Sequence, residues 1–272
     1  MSMNNNDSEF TFNVLTMTRF GRMLVNKNDV YVGRSLIQYG EYSWEEIAVI
    51  GLLDLSNANV IEAGSNIGSH TIPLSQRISG SGRLYAFEPQ RLIYQTLSAN
   101  LALNQCDNVH AYWAGVGAKA GKILIPELSP RQAGNFGGVS ANSREGESPM
   151  IEVPCMTIDS LRLESCALIK ADVEGMELDV ITGGEKTIRT CRPTLYLEAD
   201  RREKLPPLIR KLKSLHYQLW WHVPNLFNPD NIFHEAKDIF NVHSINILGF
   251  PAEKEVPVSG LDPVKGENDW FC

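Results

Sequence analysis

Val60-Ile61-Glu62-Ala63-Gly64-Ser65-Asn66-Ile67-Gly68-Ser69-His70 carries the chain from a buried strand into a helix. Val60 and Ile61 are the strand, and Glu62 is an acid at its tip. Gly64 and Gly68 punctuate a turn, and Ile67, Ile72 and Leu74 are the apolar positions of the helix that follows. Glycines in such a turn let the backbone approach a ligand closely, because no Cβ stands between them. Glu62 narrows the choice of ligand. A carboxylate aimed at a phosphate is repelled, whereas one aimed at a cation is stabilised.

Working outward, strands and helices alternate, which is the pattern of an α/β fold with a parallel sheet. Upstream, Met23 to Val32 reads as two apolar runs around Asn26-Lys27-Asn28-Asp29, a hairpin. Ser43-Trp44-Glu45-Glu46 fits a capping box, with Ser43 as N-cap and Glu46 reaching back. The helix after it carries Ile47, Ile50, Leu53 and Leu55 and runs to about Asn57. Downstream, strands are expected at Arg83–Phe87, Val109–Trp113, Leu168–Ala171, Thr194–Leu197, Tyr217–Val223 and Asn246–Phe250. Pro89 opens a helix to about Asn104, and Leu205–Leu215 forms another. Residues from about Pro126 to Pro149 lack periodicity and read as a long loop or lid. Residues before about Phe10 and beyond Pro251 read as poorly ordered. The expected division is an extension over 1–42, a main domain over 43–251 and a tail over 252–272.

Composition bounds the function. Hydrophobic residues make up 43% of the chain, enough for a full core, while the net charge of -7 and pI of about 5.4 argue against nucleic acid and anionic membrane as partners. No apolar run is long enough to span a bilayer. The opening Met1-Ser2-Met3-Asn4-Asn5-Asn6 lacks the basic and apolar regions of a signal peptide. The five cysteines form no C-x-x-C, so the sequence suggests neither a zinc site nor a disulfide framework. A cytoplasmic location is expected.

Ligands of open parallel sheets sit beyond the carboxyl ends of the strands, where strand order reverses. The acids at those ends are Glu62, Glu88, Asp172 and Glu198. Glu88 follows Gly68 by about twenty residues, the spacing at which a carboxylate meets ribose hydroxyls. A dinucleotide fold wants Gly-x-Gly-x-x-Gly, but Asn66 replaces the middle glycine and Glu62 has no use there. S-adenosylmethionine, with an ammonium and a sulfonium and no phosphate, fits both acids. Asp172 and Glu174 are candidates for holding the donor's methionine end, for a divalent ion, or for accepting the acceptor's proton. Glu174 capping the next helix is the alternative. One Asp-x-Glu does not establish a metal site, and none is assigned. His70 and His222 are candidate bases, each also explained by a structural hydrogen bond. Trp220, Trp221 and Phe227 either wall an acceptor or belong to the core.

These residues also carry a family resemblance. Tyr39-Gly40-Glu41-Tyr42, the Val60–Thr71 segment, Leu84-Tyr85-Ala86-Phe87-Glu88-Pro89, Asn135-Phe136-Gly137-Gly138-Val139-Ser140, Ile169–Glu177 and Trp220–Asn231 occur in the order seen in the FkbM family of S-adenosylmethionine-dependent methyltransferases. The chain resembles that family from about Gly33 to Gly249. The resemblance implies a Rossmann-like class I methyltransferase fold. Its seven-stranded, mostly parallel sheet has helices on both faces and an antiparallel last strand. The resemblance also implies O-methylation of a small-molecule or sugar acceptor. It puts Glu62, Gly64, Ser65, Asn66 and Gly68 around the donor's methionine part and Glu88, with Pro89, at the ribose. Asn135–Gly138 becomes a lid over the acceptor. Glu62-Ala63-Gly64-Ser65-Asn66 departs from the family's usual Asp-Val-Gly-Ala-Asn, and Ala171 stands where Ile or Leu is usual. An NAD-dependent oxidoreductase and a catalytically inactive donor-binding protein are the competing readings. Assembly as a homo-oligomer is left open.

Overall fold

The computed structural model describes residues 11–139 and 148–271. The expectation of disorder before Phe10 and the part of the long loop at 140–147 lie outside the described residues. The element order is β1 (Asn13–Thr18), β2 (Gly21–Asn26), α1 (Val32–Tyr39), α2 (Trp44–Ile50), β3 (Asn59–Ala63), α3 (Thr71–Arg77), β4 (Arg83–Phe87), α4 (Arg91–Leu103), β5 (Val109–Tyr112), β6 (Gly115–Val116), β7 (Gly121–Pro126), β8 (Met150–Met156), β9 (Leu168–Ala171), α5 (Glu177–Gly183), α6 (Glu185–Cys191), β10 (Thr194–Glu198), α7 (Leu205–Ser214), β11 (Tyr217–His222) and β12 (Asn246–Pro251).

Seven of these strands form one sheet in the order β11-β12-β10-β9-β3-β4-β5. Every neighbouring pair is parallel except the two that involve β12. Strand order therefore reverses between β3 and β9, and the fold is the Rossmann-like class I methyltransferase arrangement. Strand alternation sorts the side chains onto two faces. Ile61, Ile169, Leu195 and Ile247 face α5, α6 and α7 through Val180, Ile188, Leu208 and Leu212. Val60, Leu84, Leu168 and Tyr196 face α2 and α3 through Ile50 and Leu74. Apolar packing on both faces explains the near-continuous apolar runs of β9 and β10. Among the described residues, no helix is long and apolar enough to cross a membrane.

The N-terminal hairpin is real but displaced from the expected Met23–Val32. β1 and β2 pair antiparallel from Asn13↔Asn26 to Thr18↔Gly21, so the reversal is at Arg19-Phe20. The Asn26–Asp29 run ends β2 instead of turning the hairpin. Asn26 Oδ1 accepts from Asn28 N at 2.9 Å and Asp29 Oδ1 from Tyr31 N at 3.0 Å, local turns that lead into α1. The hairpin is tied to the sheet domain by buried Asn100 of α4. Its side chain exchanges hydrogen bonds with both Leu24 backbone groups, at 2.6 and 3.0 Å, and donates to Ile67 O at 2.9 Å.

Three further expectations are corrected. Ser43 sits at the N-cap of α2 with φ of 47° and makes no cap hydrogen bond; its hydroxyl donates to Glu46 Oε1 at 2.7 Å instead. The helix there stops at Ile50, where Gly51 follows, and does not reach Asn57. The segment beyond Pro251 is not a loose arm in its described part. Trp221 N donates to Asp262 O and Val264 N to Leu219 O, both at 2.8 Å, and Val264, Trp270 and Phe271 pack onto the core around Trp221. The region read as one long loop, from about Pro126 to Pro149, has neither helix nor strand after Pro126 in its described part; it joins β7 to β8, which pair antiparallel from Gly121↔Cys155 to Pro126↔Met150 and form a small sheet with β6.

Candidate active site

The β3–α3 turn is built from backbone bonds to its two neighbouring strands. Gly64 N and Ser65 N both donate to Phe87 O at 2.9 Å, and Asp172 N donates to Ala63 O at 3.0 Å. Gly64 has φ of +83°, and a Cβ there would lie 1.8 Å from the Asp172 carbonyl oxygen. This glycine is demanded by the contact between β3 and β9 as well as by its φ. Asn66 takes the left-handed φ of 49° in place of a second glycine, and its own Oδ1 accepts from Ile67 N at 2.7 Å. Asparagine tolerates that region because its short polar side chain bonds locally.

That turn closes one side of a cavity of about 250 Å³ at the carboxyl ends of β3, β4, β9 and β10. Glu62, Gly64, Ser65, Asn66, His70, Glu88, Pro89, Asp172 and Glu174 all line it, so most of the expected site residues converge. Gly68 is absent from the lining; its φ of +96° shapes the turn from behind. His222 is not brought to the cavity either. Its Nδ1 lies 2.7 Å from the Tyr196 hydroxyl in a buried pair, and burial pushes its pKa down to about 4. The aromatic candidates point elsewhere: Trp221 packs on Trp270 and Phe271, Trp220 on Phe250, and Phe227 on Tyr39. Asn135, Gly137 and Gly138 line the cavity, and their segment is anchored by buried Phe136, whose carbonyl accepts from Gln90 Nε2 at 2.7 Å.

Electrostatics set this cavity apart. Its lining carries seven carboxyl side chains, Glu46, Glu62, Glu88, Asp172, Glu174, Glu198 and Asp200, against one ammonium, Lys170. Glu88 is held by one backbone donor on each oxygen, Asn66 N at 3.0 Å and Gln90 N at 2.8 Å. Burial nonetheless pushes its pKa up to about 7. Glu62 is fully buried; Oε2 accepts from the Thr71 hydroxyl at 2.6 Å and Oε1 has no partner. Burial raises its pKa, with Lys170 acting against that. His70 is 5% exposed; one ring nitrogen bonds the Tyr42 backbone while Nε2 has no partner. Burial, then Lys170, push its pKa well below the usual value, so the ring is neutral near pH 7.

Lys170 is the main residue that sequence reasoning missed. It pairs in register with Glu62 across β3 and β9, is 2% exposed, and its Nζ lies 3.7 Å from Asp172 Oδ2. Burial works against its charge, but Asp172, Glu62, Glu46 and Glu198 outweigh burial and raise its pKa. The available signal was a lysine inside an otherwise apolar strand. Glu46 and Tyr42, from the segment around the α2 N-terminus, and His243 and Ser244 before β12 were also missed. Glu174 does not cap the following helix. The helix has Met176 at its N-cap with no side-chain cap hydrogen bond, and Glu177 in its first turn reaches back into the preceding turn, Oε1 accepting from Val173 N at 3.2 Å and Gly175 N at 3.1 Å. Glu174 has φ of 55°, and its Oε2 accepts from Arg201 Nη2 at 2.5 Å. Burial, then Asp172, push its pKa up to about 7.

The cavity passes a fit test for a ligand that carries positive charge and hydroxyls. Glu62 Oε1 is a buried acceptor without a partner, and Glu88 keeps lone pairs beyond its two backbone bonds. A pyrophosphate would meet seven carboxyls and gains no such contacts.

Comparison with known proteins agrees with this geometry. Residues 62–219 match the model of the Methyltransferase FkbM domain, and the chain belongs to that family. Methyltransferase sdnD of Sordaria araneosa is 30% identical over 158 residues, covering 47% of this chain and 61% of the relative. Methyltransferase 1 of Beauveria bassiana (strain ARSEF 2860) is 24% identical over 144 residues, covering 46% and 57%. The chain thus spans less than two thirds of the length of these curated relatives. Among solved structures, methyltransferase FkbM from Methylobacillus flagellatus KT is similar at 20% identity with a TM-score of 0.49, covering 73% of this chain and 45% of that chain.

Proposed function

From membership of the FkbM methyltransferase family, we propose that this chain is an S-adenosylmethionine-dependent O-methyltransferase acting on a hydroxyl of a small-molecule or carbohydrate acceptor. The observation that carries the reading is Glu88. It directly follows β4, the strand beside the β3 turn, and both of its oxygens are fixed by backbone donors with lone pairs left for two vicinal hydroxyls. Glu62 and Asp172 would take the donor's ammonium, and Asn66 and Gly64 would let its methionine part lie against backbone. The donor supplies an electrophilic methyl group on a sulfonium.

The chain's own residues do the rest. The carboxyl-rich lining favours a cation over an anion, and the turn fixes where it lies, so orientation supplies most of the rate. His70 Nε2, neutral, buried and unpartnered, is the group best placed to accept a hydrogen bond or proton from a hydroxyl within the cavity. Asn135, Gly137 and Gly138 form one wall beside it. Convergence of Asp172, Glu174 and His70 on one cavity supports a catalyst over an inactive binding protein. The test is S-adenosylhomocysteine production from S-adenosylmethionine against a panel of sugars, lipids and hydroxylated metabolites. Calorimetry of S-adenosylhomocysteine and NAD runs alongside it. Turnover with an oxygen acceptor is expected, and binding of NAD alone would overturn the reading.

A further inference from the structure

Donor binding leaves Glu174 and Glu198 without a role, and Asp172 has a second carboxylate oxygen beyond the one offered to the donor's ammonium. Asp172 directly follows β9, Glu174 lies two residues on in the turn, and Glu198 ends the adjacent parallel strand β10. One carboxylate oxygen from each lies within 4.8 Å of the others. All three side chains are partly exposed, but one of their oxygens is not. Glu198 Oε2 is shielded from solvent and has no hydrogen-bond partner, although its carboxyl group lines the cavity. A buried, unpartnered acceptor is costly unless something completes it.

The cations already present do not do so. Arg201 engages Glu174 at 2.5 Å and approaches Asp200 at 4.0 Å, and Lys170 lies 3.7 Å from Asp172. Among the described residues none forms an ion pair with Glu198. Both cations act on Glu198 through space, but their contacts are with Asp172 and Glu174, and neither supplies a hydrogen-bond partner to Glu198 Oε2. Hard divalent cations take carboxylate oxygens at about 2.0–2.6 Å, which sets ligand oxygens roughly 3–5 Å apart. The spacing here falls in that range.

We propose that Asp172, Glu174 and Glu198 bind one hard divalent cation, of the magnesium, manganese or calcium kind, at the cavity wall. Three carboxylates fill half of an octahedral shell, so the remaining positions face the cavity and are open to water or to oxygens of the acceptor. The binding site stands on the geometry of the three acids; its use by the acceptor rests on the proposed methyl transfer.

The experiment uses the full chain, stripped with a chelator and titrated with Mn²⁺ while free Mn²⁺ is followed by electron paramagnetic resonance. Mg²⁺ and Ca²⁺ are added as competitors to identify the preferred ion. One site with a dissociation constant below about 1 mM is expected, and Glu198→Gln should weaken it about tenfold or more. Circular dichroism melts confirm that the variant is folded. A second variant, Asp172→Asn, guards against failure of the first to fold. S-adenosylhomocysteine binding is measured on the same samples and should persist in Glu198→Gln. Absence of a Mn²⁺ site in the folded wild type, or equal Mn²⁺ affinity in the folded Glu198→Gln variant, overturns the proposal. Mn²⁺ binding without S-adenosylhomocysteine binding leaves the cation site standing and sinks the methyl-donor reading instead.

Discussion

Replacing Glu88 by glutamine tests the donor site without changing its shape. In the free protein this carboxyl group titrates near pH 7, because burial outweighs two backbone donors. Its ionised fraction therefore rises from about a tenth at pH 6 to about nine tenths at pH 8. If ribose hydroxyls donate to the ionised form, S-adenosylhomocysteine should bind the wild type about tenfold more tightly at pH 8 than at pH 6. Hydrogen bonds to a charged group contribute about 1 kcal/mol more than neutral ones, so two of them give Glu88→Gln a loss of about 2 kcal/mol, or roughly 30-fold, at pH 8. The variant should lose most of the pH slope. Folding moves the other way. A carboxyl whose pKa is raised from 4.5 to about 7 on folding binds more protons when native, so the wild type loses stability as pH rises through that window. The loss is on the order of 3 kcal/mol from this group. The neutral amide escapes that loss, although it satisfies only one of the two backbone donors. Glu88→Gln should then be about as stable as wild type at pH 8 while binding far more weakly. Titration calorimetry at three pH values with parallel urea melts measures both. Unchanged affinity, or a pH slope that survives in the variant, would refute the assignment; a surviving slope would pass it to Glu174, which also titrates near 7.

Much of this was legible in the sequence, for identifiable reasons. Apolar strands buried on both faces announce themselves as uninterrupted runs, so Leu168–Ala171 was placed with its observed limits and Thr194–Leu197 fell one residue short of β10. Strand-tip acids are legible because a parallel sheet presents its carboxyl ends to ligand, and Glu62, Glu88, Asp172 and Glu198 all reach the one cavity. The misses share a physical origin in pairings made far along the chain. The hairpin turn is expected too far along the chain because Asn26–Asp29 looks like a hairpin turn, while the true reversal, Arg19-Phe20, has no glycine or asparagine of its own and is followed by Gly21. Nothing local marks the tail as ordered, since its order comes from hydrogen bonds to β11. His222 was a reasonable base by type, but which partner a histidine meets is decided by its neighbour strand, and here that partner is Tyr196. Lys170 was hidden because a single charge in an apolar strand has no meaning until the register with Glu62 is known.

The remaining predictions probe that architecture. Gly64→Ala should destabilise the fold by about 3 kcal/mol or more in denaturant melts, because its Cβ would overlap the Asp172 carbonyl at 1.8 Å; a loss under about 1 kcal/mol would contradict the rigid β3–β9 contact. Val264→Asp puts a charge where the tail packs at 6% exposure and should cost about 2 kcal/mol while leaving S-adenosylhomocysteine affinity unchanged; no loss of stability would return the tail to the loose arm the sequence suggested. Lys170→Met carries the sharpest signature. It removes the ammonium that sits among Asp172, Glu62, Glu46 and Glu198, and breaking such a buried arrangement costs about 3–5 kcal/mol when the orphaned acids are ionised. Those acids escape the cost by taking up protons, so the variant's deficit should be small near pH 5 and grow toward pH 8. Urea melts across that range measure it. A deficit independent of pH would mean that Lys170 stabilises the sheet by packing its aliphatic stem, and the charge balance drawn for the cavity floor would fail with it.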